Sequence, residues 1–266
     1  MRLTYKTKFD IEYPTGNFNY YTSAGPRERL QNALLEASNY YCMYCGTSLY
    51  NDNKIFCNLE HSVEKKQNNV KILWLQECKY NLSVTCPTCN IKYKKIVKPL
   101  TSSLSSSSCS QLSQNCTNYF CSQYYSILNE ALNLNNIILQ PFGAYNINTN
   151  NVYEIEFDIF RNKFLPSQNY NYTSYEYNYI RDHISRFNLN GKSKSHVIEE
   201  ICCDILEDIE LFNITSSSIL LNKYSKKRYS NVIGNNFMDF IASTFYNKSI
   251  LHLKKFCEFI LILTYI

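Results

Sequence analysis

Two short stretches of the chain decide its fold, Cys42-Met43-Tyr44-Cys45 and Cys86-Pro87-Thr88-Cys89. In each stretch two residues separate a pair of cysteines, and a turn-forming residue lies close by, Gly46 behind the first pair and Pro87 inside the second. Thiolates from two such pairs complete a tetrahedral zinc site, which has no open position for chemistry. The sequence therefore predicts a structural Zn²⁺ site, whose ligands are Cys42, Cys45, Cys86 and Cys89.

The composition indicates a folded protein in a reducing compartment. Of the 266 residues, 45 % are hydrophobic and 15 % are aromatic, which allows a substantial core and excludes general disorder. The N-terminus lacks the apolar run of a signal peptide, and the most apolar stretch, residues 259–263, is too short to span a bilayer. We therefore expect a cytoplasmic protein with no membrane partner. Disulfides are rare there, so metal binding is the favoured role for regularly spaced members of the 12 cysteines.

The residues between and directly after the cysteine pairs are those that phosphodiester cleavage requires. Glu60 and His61 are adjacent, Asn81 precedes the second pair, and Asn90 follows it immediately. Histidine has a pKa near neutral and can activate water as a general base. Carboxylate and amide oxygens suit Mg²⁺ or Mn²⁺ better than zinc. Singly, each of these residues is commonly a surface residue, and it is their order relative to the cysteines that favours a site.

This order resembles the HNH endonuclease family, whose ββα-metal core contains CxxC, Asp/Glu-His, Asn and CxxC-Asn in turn. The resemblance covers residues 41–98. It implies that His61 is the catalytic base and that Asn81 supports the histidine through its loop. It also implies that Glu60 and Asn90 bind the catalytic Mg²⁺ or Mn²⁺. Glu60 stands where many members have Asp, which keeps the carboxylate but lengthens its reach.

A basic strip follows the second cysteine pair and is the predicted nucleic-acid contact. The family commonly has a lysine three residues after Asn90, where this chain has Tyr93. The strip consists of Lys92, Lys94, Lys95 and Lys98. A net charge of +5 does not by itself indicate nucleic-acid binding. The position of the strip beside Asn90 favours phosphate contacts, which weaken with salt, over the alternative of a solvated helix face.

Composition divides the chain into three parts. Residues 1–100 contain an N-terminal helix and the HNH-like module, residues 101–118 are Ser-rich and typical of a linker or insertion, and residues 119–266 are predicted to be mainly helical. The expected fold class is α+β, with a zinc-stapled ββα-metal (HNH) module embedded in a mainly helical protein. The C-terminal helices are expected to dock a partner, or to form an ordinary core, or both on different faces.

Apolar periodicity predicts individual elements of this fold. Repeats of three and four residues predict a helix over residues 24–38 and two further helices over residues 179–189 and 197–212. One or two more helices are predicted over residues 237–262. An imperfect alternation predicts a strand over residues 151–160.

The whole chain resembles, more narrowly, the HNH subunits of Septu anti-phage systems, the PtuB group, and their retron-associated relatives. Residues 138–142 and 187–190 are similar to downstream elements of that group. The resemblance implies a bacterial defence nuclease that cuts phage or foreign DNA and acts with an SMC- or ABC-like ATPase. Two alternatives stay open: a non-catalytic zinc module that binds nucleic acid or a partner protein, and an RNA-cutting effector with the same site.

Overall fold

The computed structural model describes residues 1–16, 19–67, 70–93, 122–135, 137–138, 141–191 and 196–264. The α-helices in these ranges are α1 (Ala24–Ala37), α2 (Leu73–Glu77), α3 (Ser122–Asn135), α4 (Ser174–Arg186), α5 (Val197–Leu211), α6 (Ser217–Tyr224), α7 (Val232–Phe245) and α8 (Ile250–Thr264). The strands are β1 (Arg2–Tyr5), β2 (Tyr50–Asn51), β3 (Lys54–Ile55), β4 (Asn58–His61), β5 (Lys66–Gln67), β6 (Val70–Lys71), β7 (Leu82–Thr85), β8 (Ile155–Asp158) and β9 (Lys163–Pro166). Helices mixed with small antiparallel sheets confirm the α+β class.

An antiparallel pair, β4 with β7, lies at the centre of the N-terminal region. In this pair Glu60 is opposite Ser83 and His61 is opposite Leu82. Every residue of β7 is buried, and α1 packs against this strand. The predicted helix over residues 24–38 is confirmed as α1, which buries Leu30, Leu34 and Leu35, and the spacing of Leu30 and Leu34 places both on one face.

Strand β1 joins a second sheet, in which the order is β1-β8-β9 and all neighbours are antiparallel. The predicted strand over residues 151–160 is present as the shorter β8, all of whose residues are buried. Its acidic residues tolerate burial because the Arg2 guanidinium lies 3.1 Å from the Glu156 carboxylate and 3.7 Å from that of Asp158.

The C-terminal helices agree with the apolar periodicity in most of their bounds. Helix α5 matches the prediction over residues 197–212, and two helices, α7 and α8, occupy the region predicted over residues 237–262. Helix α4 begins five residues earlier than predicted. Its start is fixed by a capping box between Thr173 and Glu176, a polar signal that apolar periodicity does not detect.

Two parts of the sequence-based interpretation lie outside the described residues. These are the Ser-rich residues 101–118 and three members of the basic strip, Lys94, Lys95 and Lys98. Within the described ranges, no helix combines the length and the apolar character that crossing a bilayer requires.

Candidate metal centre and adjoining histidine site

The four predicted zinc ligands lie together. Their Sγ atoms are all within 4.8 Å of one another, and Cys45 Sγ lies 3.7 Å from Cys86 Sγ. A tetrahedral site with Zn–S bonds of about 2.3 Å has sulfur–sulfur edges of about 3.8 Å. The cluster therefore has the dimensions and the donor set of a zinc site. In the part of the chain that the structure describes, no other group of three or more Cys, His, Asp or Glu side chains gathers in this way.

The first cysteine pair is held in a tight turn that only glycine can close comfortably. The Gly46 N–H donates to the carbonyl of Cys42 at 2.8 Å, and Gly46 has a φ of +67°. A Cβ atom at this position would lie 2.7 Å from Cγ1 of Val232, which is closer than van der Waals contact allows. The turn is thus fixed both by local geometry and by the start of α7.

The segment before α7 binds directly to this turn. The Val232 N–H donates to the Gly46 carbonyl at 2.8 Å, and the Asn231 side-chain amide donates to the Cys45 carbonyl at 3.1 Å. The same Asn231 caps α7 through its Oδ1, which accepts the Ile233 N–H at 3.0 Å. One residue therefore connects the metal-binding turn to a C-terminal helix.

The second cysteine pair begins a helical turn directly after β7. The Cys89 N–H lies 3.4 Å from Cys86 Sγ, and the Asn90 N–H donates to the Cys86 carbonyl at 3.2 Å. N–H donors directed at a cysteine sulfur stabilise its thiolate form. A π-helical turn over Cys89–Tyr93 continues the chain, so Asn90 lies directly after the last of the four clustered cysteines.

Burial and crowding would make four thiolates in this cluster dependent on a bound cation. Burial raises the pKa of the Cys42 thiol well above its ordinary value. Hydrogen bonding with Cys42 raises the pKa of Cys89 and lowers that of Cys86, so the sulfurs share their remaining protons unequally. Four thiolates cannot coexist in a buried pocket without a counter-charge, which a divalent ion provides.

His61 is the last residue of β4 and is only 3 % exposed. Its Nε2 atom lies 3.1 Å from the backbone carbonyl oxygen of Gln76. A carbonyl oxygen can only accept, so Nε2 carries the proton, and the lone pair of the neutral ring is then on Nδ1. The Tyr21 ring packs against the imidazole with a centroid separation of 4.5 Å. Both the tautomer and the orientation of His61 are therefore set by its surroundings.

Asn81 fastens the loop that follows His61. Its side chain is fully buried, and its amide nitrogen donates to the carbonyls of Val63 and Leu75, both at 2.9 Å. Its Oδ1 accepts the Val63 N–H at 2.7 Å and the Tyr124 hydroxyl at 3.1 Å. The two ends of the loop, next to β4 and within α2, are thereby joined through one amide. This arrangement is compatible with the supporting role expected of Asn81.

Glu60 and Asn90 stay predicted ligands of a catalytic metal. Glu60 is 9 % exposed, and its backbone carbonyl accepts the Ser83 hydroxyl at 3.3 Å. The Asn90 side chain is half-buried. One carboxylate and one amide oxygen form a hard donor set that leaves several octahedral positions for water and phosphate, which is what Mg²⁺ and Mn²⁺ accept. The donor chemistry fits the predicted ion.

One residue of the basic strip, Lys92, lies within the described residues. Its side chain is exposed, and the ammonium lies 5.5 Å from the centroid of the Tyr93 ring. The Tyr93 ring in turn contacts Phe187 edge-on, at a centroid separation of 6.5 Å. Lys92 is thus exposed to solvent two residues after Asn90.

Sequence reasoning missed four residues that support the histidine: Tyr21, Gln76, Glu77 and Tyr124. The buried Glu77 carboxylate accepts the Tyr21 N–H at 2.8 Å and the Gln76 side-chain amide at 2.5 Å. Glu77 therefore fixes the loop that presents Tyr21 to His61. Tyr21 lies 40 residues from His61 in the chain, and Tyr124 lies 43 residues from Asn81, so no local pattern in the sequence could have indicated these two contacts.

What the site can do follows from these side chains. A four-cysteine cluster that could hold zinc adjoins the antiparallel pair of β4 and β7, and β4 ends in a buried histidine with a fixed tautomer. Comparisons with protein-family models, with curated proteins and with solved structures found no match.

Proposed function

We propose that this protein is a metal-dependent HNH-type endonuclease that hydrolyses the phosphodiester bonds of nucleic acid. The observation that carries the proposal is the hydrogen bond from His61 Nε2 to the Gln76 carbonyl, which leaves Nδ1 as the basic nitrogen. This histidine ends β4, and its antiparallel partner β7 leads directly into the second cysteine pair. A four-cysteine cluster beside an antiparallel strand pair and a helical turn is the arrangement that the ββα-metal resemblance implies.

In the proposed reaction, His61 Nδ1 accepts a proton from water as the water oxygen attacks the phosphorus. The bond from phosphorus to the 3′ oxygen breaks, and the leaving oxygen takes up a proton from solvent water, which gives a 3′-hydroxyl on one product and a 5′-phosphate on the other. A Mg²⁺ or Mn²⁺ ion held by Glu60 and Asn90 would stabilise charge on the phosphate and the leaving oxygen. Asn81 keeps the loop after His61 in place during this step.

We further propose DNA as the substrate, and a defence role together with an SMC- or ABC-like ATPase. The resemblance to Septu HNH subunits supports both. An ATPase partner would need a docking face, and the end of α5 and the start of α6 expose the apolar side chains Leu211, Phe212 and Ile219. Exposed apolar groups of this size are typical of protein-binding surfaces.

Replacement of His61 tests the reaction. The His61→Ala variant should lose Mg²⁺-dependent cutting of supercoiled plasmid and of total RNA, assayed with and without the ATPase, while its zinc content stays at the wild-type value. The matched control is His252→Ala, because His252 is exposed on α8 and should be dispensable. Normal cutting by His61→Ala would refute the mechanism, and cutting of RNA alone would refute DNA as the substrate.

The second candidate is a non-catalytic zinc module, and the four-sulfur cluster by itself favours it equally. Such a module needs its cysteines but is indifferent to Glu60 and Asn90. Glu60→Gln and Asn90→Ala variants that bind nucleic acid normally, in a protein that shows no Mg²⁺-dependent cutting, would support this candidate over the nuclease.

A further inference from the structure

Two cationic side chains meet on the ring that packs against His61. The Lys65 ammonium lies 4.2 Å from the centroid of the Tyr21 ring, and the Arg27 guanidinium carbon lies 5.5 Å from it. The same ring is 4.5 Å from the imidazole of His61. Tyr21, Arg27 and Lys65 are hereafter the Tyr21 cluster.

The Tyr21 cluster is assembled from two segments of the chain, the start of α1 with the loop before it and the residues after β4. Arg27 is on α1, Lys65 follows β4, and Tyr21 lies in the loop before α1. That loop is fixed by the Glu77 carboxylate, which accepts the N–H groups of Tyr21 at 2.8 Å and Thr22 at 3.2 Å. The position of the Tyr21 ring is therefore fixed by these hydrogen bonds and does not depend on the two cations.

The described residues do not neutralise the positive charges of Arg27 and Lys65. Among the described residues, neither Arg27 nor Lys65 has a carboxylate within ion-pair distance, and the first turn of α1 contains no acidic residue. The nearby Glu77 carboxylate is already occupied by backbone N–H groups and an amide. Two like charges gathered on one ring repel each other, and an anion bound between them removes that cost.

We propose that Arg27 and Lys65, presented on Tyr21, bind backbone phosphates of the nucleic acid that flank the phosphate beside His61. Arginine and lysine on an aromatic platform are well suited to a phosphodiester strand, because the ring limits their motion and the charges stay directed at solvent. This inference rests on the proposed function, and it adds a substrate-positioning surface separate from the basic strip after Asn90.

The experiment compares charge-neutralising variants of the full-length protein. Arg27→Gln with Lys65→Gln removes two positive charges from the cluster, and Lys248→Gln with Lys255→Gln is the matched control, since it removes two exposed charges from α8 and the turn before it. Binding of a fluorescently labelled DNA duplex is measured by anisotropy across a salt series, without added divalent ions. Cutting is measured separately with Mg²⁺.

Each phosphate contact contributes about 0.9 to the slope of log affinity against log salt on duplex DNA. The slope of log affinity against log salt should therefore be about 1.8 smaller in magnitude for the cluster variant than for the wild type. In the cutting assay, its KM should rise and its kcat should stay nearly unchanged. The Arg27→Lys, Lys65→Arg variant keeps both charges and should restore the slope. The control should keep the wild-type slope and KM.

The possible outcomes separate this inference from the proposed function. If the wild-type protein cuts and the cluster variant matches the control in slope and KM, the inference is wrong and the nuclease proposal stands. If the wild-type protein binds without cutting and only the cluster variant loses slope, the binding surface stands and the nuclease proposal fails. Absence of any binding by the wild-type protein overturns both.

Discussion

Replacement of Asn81 tests whether one amide holds the loop beside the histidine. The side chain makes four hydrogen bonds in a fully buried position, two as donor and two as acceptor. A typical net hydrogen bond contributes about 1 kcal/mol, and a buried group left unsatisfied costs about 1–3 kcal/mol. Asn81→Ala leaves the N–H and carbonyl of Val63 and the carbonyl of Leu75 without their hydrogen bonds to the Asn81 side chain. We therefore expect the free energy of unfolding to fall by about 4 kcal/mol.

Two further variants measure how much individual hydrogen bonds of Asn81 contribute to that loss of stability. Tyr124→Phe removes one of the four bonds, at 3.1 Å, and should cost about 1 kcal/mol. Asn81→Asp keeps the size and the acceptor oxygen but loses both donations, and it turns a carboxylate towards the carbonyls of Val63 and Leu75. It should therefore be at least as destabilising as Asn81→Ala.

Urea unfolding monitored by circular dichroism measures these free energies, and nuclease assays well below the unfolding midpoint measure function. Asn222→Ala is the matched control, because the exposed Asn222 amide makes one hydrogen bond, at 3.3 Å to the Tyr246 hydroxyl. Asn81→Ala should lose cutting even where it is fully folded, since the loop after His61 is released. A free energy within 1 kcal/mol of the wild-type value, or no difference from Tyr124→Phe, would refute the reasoning.

Three other perturbations have defined outcomes. Gly46→Ala should lower the free energy of unfolding by about 3 kcal/mol, because it strains a left-handed turn and places a methyl group against Val232; a melting temperature equal to that of the wild type would contradict this. Cys89→Ser should reduce the zinc content well below one ion per chain in metal analysis, and wild-type content would exclude the tetrathiolate site. The hydrogen bond from Lys223, at 2.6 Å, lowers the pKa of Asp208. The ionised Asp208 carboxylate therefore stabilises the fold above the ordinary aspartate pKa of about 4, and this stabilisation is lost as the pH falls further. Asp208→Asn should therefore be less stable than the wild type at pH 7, with the difference shrinking towards pH 3 in urea titrations; a difference independent of pH would contradict the ion pair.

The grouping of the four cysteines and the main helices could be predicted because their signals are local. Two cysteines two residues apart occupy one turn whatever the remainder of the chain does, and the only long-range step was to bring the two turns together. Helix α5 could be predicted for the same reason, since its buried residues Ile198, Ile201, Cys202 and Ile205 follow the helical period.

Apart from Asn81, the residues that support the histidine could not be predicted, because their support depends on contacts between distant segments. Nothing near Tyr124 in the sequence indicates that its hydroxyl meets Asn81, and nothing near Tyr21 indicates that its ring meets His61. The tautomer of His61 likewise depends on the carbonyl of Gln76, a group that every residue carries. Such information exists only once the loop between β4 and β7 has folded.

A zinc ion held by the four cysteines would connect both cysteine turns, so the cysteine cluster and the C-terminal helices should respond together to its removal. Besides the two hydrogen bonds from residues 231 and 232, the Tyr41 hydroxyl donates to the Tyr229 carbonyl at 3.1 Å. The Arg228 guanidinium lies 5.3–5.6 Å from the ring centroids of three tyrosines on the other side of this contact, Tyr40, Tyr41 and Tyr50. Without zinc the first cysteine turn loses its cross-link to the second, and every one of these contacts loses a rigid partner. A partner protein that binds the C-terminal helices would act on the same contacts, and these contacts connect the helices to the region of the β4-β7 pair, which carries His61.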